Sequence, residues 1–211
     1  MRGEGKSQKR LGGGGDLPPH ASRLTPHASP KAQLSKVRII AGEWRGRLID
    51  FPQAEGLRPT PDRVRETLFN WLGQTLDGKT CLDLYAGSGA LGFEALSRGA
   101  QRVVMVEQNP QVLKALRENA HKLGADRLDL VVGDGLKALS REGKTFDVIF
   151  LDPPFHHGIL PLLLPLLPDR LAPDGLVYAE TEQALEPGEG WEVWRSGRAG
   201  KVFYCVLKRQ Q

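Results

Sequence analysis

The feature that most constrains the fold is a regular alternation of strand-like and helix-like segments from residue 80 onward. Apolar runs predict strands at about 80–86, 102–107, 128–134, 147–152 and 176–180, with helical patterns between them. Strands that alternate with helices form a parallel sheet covered on both faces. Two further strand-like segments, 191–195 and 202–207, predict a hairpin. We therefore expect an α/β fold, a Rossmann-like doubly wound and mostly parallel sheet with an antiparallel C-terminal hairpin.

An N-terminal β-hairpin and a helix are predicted before this alternation, over residues 37–76. The hairpin strands are expected at 37–41 and 48–51, and the helix runs to Leu72 with Thr60 as its N-cap. Residues 77–211 then form the domain built on the parallel sheet.

Residues 1–36 form a separate segment in composition. They have almost no large apolar side chains and carry seven Lys and Arg against two Asp and Glu, a net charge of +5 that leaves −1 for residues 37–211. We expect a disordered basic tail, because such a segment cannot bury enough apolar surface to offset the entropy of ordering. The tail would either attract phosphate groups without specificity or be a dispensable extension.

Several classes of protein are disfavoured by composition. No apolar run approaches the ~18 residues of a membrane span, and the N-terminus lacks the apolar core of a signal peptide. Cys81 and Cys205 lie in strand-like runs, where we predict small buried side chains and neither a disulfide nor a metal site. A cytoplasmic monomer without a membrane partner or a metal is expected.

The predicted strand 147–152 ends in Asp152-Pro153-Pro154-Phe155. In open α/β sheets the carboxyl ends of the strands bind ligands. The two prolines supply carbonyl groups but no N–H donors, so Asp152 and the Pro153 carbonyl would form an acceptor-only cradle for an amino group. Phe155 offers a flat face for stacking. The four residues are the predicted catalytic group, and their ligand is a nucleobase with an exocyclic amino group.

A glycine turn follows the predicted strand at residue 80. Gly87-x-Gly89-x-x-Gly92, with Glu107 20 residues after Gly87, fits a dinucleotide-binding fingerprint, so a nicotinamide oxidoreductase remains an alternative. Asp83 and Asp134 fit that alternative poorly. The three acids at strand ends, Asp83, Glu107 and Asp134, instead suit a ligand with an ammonium group, a ribose and an adenine amino group. S-adenosylmethionine carries these three groups. The predicted cofactor residues are Asp83, Tyr85, Ala86, Gly87, Ser88, Gly89, Glu107, Gln108, Asp134 and Gly135.

Six arginines and no lysine lie between residues 38 and 65. Because the planar guanidinium group binds phosphate through two N–H groups, an arginine patch with an aromatic residue favours nucleic-acid contact over mere solubility. The residues predicted to contact RNA or DNA are Arg38, Trp44, Arg45, Arg47, Arg58, Thr60, Arg63 and Arg65.

These motifs together resemble the RsmD family, on three N-terminal stretches (38–47, 57–60 and 62–70) and on the order from the glycine turn to Asp152-Pro153-Pro154-Phe155. The resemblance implies a class I methyltransferase fold and methylation of guanine N2 at position 966 of 16S ribosomal RNA. Its substrate would be the small ribosomal subunit or an assembly intermediate. A DNA adenine or cytosine methylase shares the acidic motif but has a separate target-recognition domain, and a non-catalytic RNA-binding assembly factor would not need the site acids.

Overall fold

The computed structural model describes residues 34–53, 57–153 and 158–210. Most of the predicted basic tail therefore lies outside the described residues. The N-terminal hairpin consists of β1 (Leu34–Arg38) and β2 (Leu48–Pro52), which pair antiparallel with Val37 opposite Ile49. Strand β1 thus begins before the predicted boundary at residue 37 and ends at Arg38. The shift arises because residues 39–47 form a tight connection, in which the Ile39 N–H donates to the Arg47 carbonyl at 2.9 Å.

Helix α1 (Asp62–Leu72) begins one residue later than the sequence pattern indicated. Pro61 occupies the N-cap position and no side chain caps the helix, so the prediction of Thr60 as N-cap is wrong. The Thr60 hydroxyl instead donates to Glu180 at 2.8 Å, which is a long-range contact that no local pattern encodes. The helix ends at Gly73, as predicted, where φ is 93°.

The main sheet has seven strands: β3 (Thr80–Asp83), β4 (Arg102–Glu107), β5 (Leu128–Val132), β6 (Phe146–Leu151), β7 (Leu171–Thr181), β8 (Trp191–Ala199) and β9 (Val202–Arg209). Their order is β5-β4-β3-β6-β7-β9-β8. Strands β3 to β7 pair in parallel, whereas β9 is antiparallel to both β7 and β8. The doubly wound sheet with an antiparallel C-terminal hairpin is confirmed. Strand β9 inserts between β7 and β8, so its first residues lie at the carboxyl edge of the parallel strands.

The helices that connect the strands are α2 (Ala90–Ser97), α3 (Pro110–Leu123), α4 (Gly135–Arg141) and α5 (Leu160–Leu163). Helix α3 starts at Asn109, whose side chain accepts from the Gln111 N–H at 2.9 Å. Helix α5 is only one turn long and continues as two 3₁₀ turns, 164–166 and 168–170, because the prolines of this stretch cannot donate the helical hydrogen bonds. The helical segment predicted between the strands at 147–152 and 176–180 is therefore one short helix followed by two 3₁₀ turns.

Two apolar cores lie on opposite faces of the sheet. One includes Ile49 of the hairpin and Phe69 of α1 together with Phe93 and Phe150, so the predicted segments 37–76 and 77–211 share this core. The other packs α5 and its 3₁₀ turns against β6 and β7. No helix within the described ranges is long and apolar enough to cross a membrane. Nor do the described His, Cys, Asp and Glu side chains form a cluster suited to a metal.

One carboxylate joins the N-terminal segment to the sheet domain. Glu94 is fully buried on α2 and accepts from the backbone N–H groups of Ile40 and Ala41 at 2.8 and 3.0 Å. It also accepts from the guanidinium groups of Arg65 and Arg98, at 3.2 and 2.8 Å. Four donors on one buried carboxylate satisfy its hydrogen-bonding capacity, so the charge is tolerated in the core. Glu94 therefore fixes the hairpin connection and α1 onto α2.

We expect Glu94→Gln to lower the free energy of unfolding by about 3–5 kcal/mol, because an isosteric amide leaves the buried Arg98 without a carboxylate partner and the buried Arg65 with Asp62 alone. Urea unfolding measures the loss. Glu118→Gln is the matched control, since Glu118 meets Lys114 at 3.8 Å on an exposed helix surface, where the pair contributes less than about 1 kcal/mol. Equal losses for the two variants would contradict the structural role of Glu94.

Candidate functional site

The candidate site lies at the carboxyl edge of the parallel strands, where β3 delivers Asp83. This side chain is 2% exposed, and its Oδ2 accepts from the Gly92 N–H of α2 at 3.2 Å. Burial raises the pKa of Asp83 to about 7, the N–H groups of Gly92 and Tyr85 oppose the rise, and the charge of Glu107 adds to it. Asp83 is thus a buried acid that an additional cationic partner would stabilise as the anion.

The turn after β3 brings the backbone close to the site. Gly89 caps α2 in the left-handed region at φ 79°, and a Cβ there would lie 2.7 Å from side-chain atoms of Leu116 and Phe93. Gly87 also has a positive φ, 49°. The Ser88 hydroxyl accepts from the Ala90 N–H at 3.3 Å, and the Ala86 N–H donates to the Val106 carbonyl at 3.0 Å. The predicted cofactor residues of this turn therefore shape a tight backbone loop beside β4.

Glu107 links this turn to the next strand end. Its Oε2 accepts from the Gly87 N–H at 3.1 Å, and its Oε1 accepts from the N–H groups of Gln108 and Asn109 at 2.9 and 2.8 Å. Its partly exposed carboxylate is therefore held against the glycine turn by three backbone donors. This orientation leaves acceptor lone pairs directed to the edge of the sheet, which suits contact with hydroxyl groups.

Asp134 and Gly135 begin α4 after β5. The Asp134 side chain is the N-cap, with Oδ1 accepting from the Lys137 N–H at 3.0 Å. Gly135 lies close to β3, since a Cβ there would be 2.7 Å from the Leu84 carbonyl oxygen and 2.8 Å from Tyr85 Cζ. The Tyr85 hydroxyl is buried without a hydrogen-bond partner among the described residues, and its burial raises the pKa to about 12. The structure thus brings the predicted residues of β3, β4 and β5 together along one edge.

Asp152 follows β6 and lies beside a second acid, Glu180 of β7. Leu151 of β6 pairs with Ala179 of β7, which makes Asp152 and Glu180 neighbours where these strands end. Burial and the charges of Glu180 and Asp83 raise the pKa of Asp152 well above its ordinary value. Burial likewise raises the pKa of Glu180. Pro153 is buried next to them, whereas the predicted catalytic residues Pro154 and Phe155 lie outside the described residues.

The segment Leu57–Thr60 passes over this edge. A Cβ on Gly87 would lie 3.0 Å from Leu57 Cδ1, and the Thr60 hydroxyl donates to Glu180 Oε1 at 2.8 Å. The segment therefore spans from the glycine turn to the pair of acids and forms one wall of the site. Arg58, in the middle of it, is exposed.

The residues predicted to contact RNA separate into two groups. Arg38, Arg45, Arg47, Arg58 and Arg63 are exposed. Trp44 is 4% exposed and Arg65 fully buried, so the expectation that they reach RNA is wrong. Trp44 packs in the core below the hairpin connection, and Arg65 is committed to Glu94 and Asp62. Thr60 is 5% exposed and faces Glu180, so its predicted place on a phosphate-binding surface is also wrong.

Sequence reasoning missed two features at this edge. One is Glu180, which no motif marks and which becomes a site residue only through the pairing of β7 with β6. The other is the tip of the C-terminal hairpin (195–201), which carries Arg195, Arg198 and Lys201 and no acid. All three are exposed, and Thr181 pairs with Phe203 next to the tip. A count of basic residues along 195–201 was the available signal for this second feature.

Comparisons with known proteins identify the family and the fold of the chain. The family model described as "Conserved hypothetical protein 95" matches residues 37–208. The Ribosomal RNA small subunit methyltransferase D of Escherichia coli is 41% identical over 182 residues, which cover 83% of this chain and 91% of that protein. A solved structure of an Escherichia coli protein, provisionally described as the methyltransferase yhhF, has 40% identity and a TM-score of 0.75. It covers 83% of this chain and 99% of that one.

A more distant structure, SMU.776, is described as a methyltransferase complexed with SAH; it is 20% identical and has a TM-score of 0.64. It covers 87% of this chain and 57% of that chain and indicates the fold alone. The match over residues 37–208 and the 41% identity show that the chain belongs to the conserved hypothetical protein 95 family, together with the ribosomal RNA small subunit methyltransferases D.

Proposed function

We propose that the chain, a ribosomal RNA methyltransferase by family, transfers a methyl group from S-adenosylmethionine to the exocyclic N2 of a guanine in 16S RNA, at position 966. The observation that carries the proposal is Asp152, a carboxylate at the end of β6 close enough to Asp83 for their charges to interact, which accepts no hydrogen bond within the described part of the chain. In this proposal the protein works in the cytoplasm as a monomer, and its substrate is the small ribosomal subunit or an assembly intermediate.

The site residues fit S-adenosylmethionine. A structure with the same fold, SMU.776, is described as a complex with SAH, which is consistent with this cofactor. Asp83 would pair with the ammonium group, whose positive charge would stabilise the anion of this buried acid, and the Glu107 carboxylate would accept from the ribose hydroxyls. Asp134 keeps one oxygen for an adenine amino group, because the cap of α4 uses Oδ1. When bound, the cofactor supplies a methyl group activated by a sulfonium.

Asp152 and the Pro153 carbonyl would accept the two hydrogens of the guanine amino group. This nitrogen is a poor nucleophile because its lone pair is delocalised into the ring. Accepting both hydrogens favours a pyramidal nitrogen whose lone pair faces the methyl group, so catalysis is mainly positioning. The approach of N–H donors also stabilises the Asp152 anion, which then takes the proton lost after transfer.

The exposed basic residues at the carboxyl edge would bind the RNA backbone. Arg58 lies on the wall of the site, and the tip 195–201 lies next to β7. Guanidinium groups neutralise phosphates without reading sequence, which fits the holding of a nucleotide whose base is turned out of a loop. Phe155 is proposed to stack on that base.

Asp152→Ala is expected to reduce methyl transfer to small ribosomal subunits by at least about a hundredfold, because the acceptor of the amino hydrogens is lost. The affinity for S-adenosylhomocysteine, measured by calorimetry, stays within a few-fold. Asp174→Ala, at an exposed position near the start of β7, serves as the control and keeps full activity. Loss of cofactor affinity in a folded Asp152 variant would show that this acid serves the cofactor and not the base.

Affinity for S-adenosylhomocysteine is expected to rise with pH through about 7, the pKa of Asp83 in the free protein. The ligand ammonium pairs with the anion, and below that pH the acid is protonated, so affinity at pH 5.5 should be about tenfold or more below that at pH 8. Asp83→Asn should bind weakly and without this pH dependence. A wild-type affinity that is constant over this range would remove Asp83 from the ammonium site.

Replacement of Arg195, Arg198 and Lys201 by Gln should raise KM for small subunits while kcat and cofactor affinity stay unchanged. The slope of log affinity for RNA against log salt concentration should become shallower by about two to three, because three phosphate contacts are lost. Lys144→Gln, an exposed position before β6 at the opposite edge of the sheet, is the control. An unchanged salt dependence in the triple variant would place the RNA elsewhere.

A further inference from the structure

Glu180 lies where a second contact to the target base is possible. Because Leu151 pairs with Ala179 and Phe150 with Tyr178, the next residues, Asp152 and Glu180, are side by side. Side chains two residues apart on a strand share a face, so both acids lie on the face that carries Phe150 and Tyr178. The two carboxylates therefore meet the same small volume at the end of the sheet.

The orientation of the Glu180 side chain is fixed by hydrogen bonds to one of its two carboxylate oxygens. Its Oε1 accepts two hydroxyl donors, Thr60 Oγ1 and Tyr178 OH, both at 2.8 Å. Within the described ranges no hydrogen bond reaches its Oε2. Glu180 is only 4% exposed, so its side chain has little freedom to change rotamer and water has little access to it. The two hydroxyl groups thus hold Oε1 in place, and this fixes the position of Oε2, which remains an acceptor.

Two adjacent buried carboxylates are unfavourable without donors between them, since like charges in a desolvated site repel. Asp152 accepts no hydrogen bond from the described residues, and Glu180 accepts only the two hydroxyl groups. Among the described residues, the site is therefore rich in acceptors and poor in donors. A ligand that offers several N–H groups along one edge would satisfy both acids at once.

Among the nucleobases, guanine presents such an edge, with the N1–H next to the N2 amino group. We infer that Glu180 selects guanine by accepting its N1–H through Oε2, while Asp152 holds the N2 amino group. This inference rests on the proposed function, whose residues include Asp152 but not Glu180. Thr60 and Tyr178 act as positioning residues, because they hold the other oxygen of Glu180.

Selection follows from the chemistry of N1. Adenine and 2-aminopurine carry a lone pair at N1 where guanine carries a hydrogen, and a lone pair facing a carboxylate is repelled. 2-Aminopurine retains the N2 amino group, so it offers the same methyl acceptor, but its N1 carries a lone pair and it lacks the O6 carbonyl. A site built to hydrogen-bond one group rejects an analogue that leaves its buried polar atoms unpaired.

The test compares methyl transfer to guanine and to 2-aminopurine, placed at the target position of 16S RNA reconstituted into small subunits. The wild type is expected to favour guanine. Glu180→Gln, whose amide N–H donates to N1 of 2-aminopurine, is expected to lower the ratio of kcat/KM for guanine over 2-aminopurine by about 10- to 100-fold. Comparing this ratio between the variant and the wild type cancels the differences between the two bases in intrinsic reactivity and at position 6.

Glu180→Asp is a second variant that retains the charge but withdraws the carboxylate by one methylene, and it should lower the same ratio by a smaller factor. Glu192→Gln, the same substitution at an exposed position of β8, is the matched control, and its ratio should remain at the wild-type value. Unfolding midpoint and affinity for S-adenosylhomocysteine confirm that each variant is folded.

Two results would overturn the inference in distinguishable ways. A wild type that methylates guanine, with a Glu180→Gln variant that loses rate equally on both bases, would limit Glu180 to holding Thr60 and Tyr178 and leave the proposed function intact. A wild type that transfers no methyl group to guanine N2 would remove the proposed function and the inference together.

Discussion

The arrangement of the site depends on the buried carboxylate of Glu94. It accepts hydrogen bonds from the hairpin connection, from Arg65 of α1 and from Arg98 at the end of its own helix. Arg65 in turn donates to the Thr60 carbonyl at 3.1 Å, and the Thr60 hydroxyl reaches Glu180. A chain of polar contacts therefore runs from the N-terminal hairpin through α1 to the acids at the sheet edge. The N-terminal segment is part of the site and not an appendage.

Electrostatics explains why the edge of the sheet suits this chemistry. Asp83, Asp152 and Glu180 are close enough that the charge of one raises the pKa of another, and each is partly or fully removed from water. Such a cluster of acids is costly until donors or cations enter. In the proposed complex, a cofactor with an ammonium group and a base with an edge of N–H groups would bring the missing partners, so ligand binding would relieve the repulsion between these acids.

Local patterns predicted the repeating elements well, because the apolar periodicity of β4 and the glycine that ends α1 act within a few residues. Predictions that depended on distant partners failed. Arg65 and Trp44 read as surface residues of an arginine-rich segment, yet Glu94 and the core bury them. Glu180 carries no motif and enters the site only through the pairing of β6 with β7. The glycine turn and Asp152 were recognisable because their chemistry and spacing are encoded locally.

The most direct test of the account is methyl transfer from labelled S-adenosylmethionine to small ribosomal subunits that lack the modification, followed by mapping of the labelled nucleotide. The account predicts label on N2 of one guanine in 16S RNA, at position 966. Label on a different base or on a ring nitrogen would contradict the proposed geometry of Asp152. No label, from a folded protein that binds the cofactor, would contradict the proposed substrate.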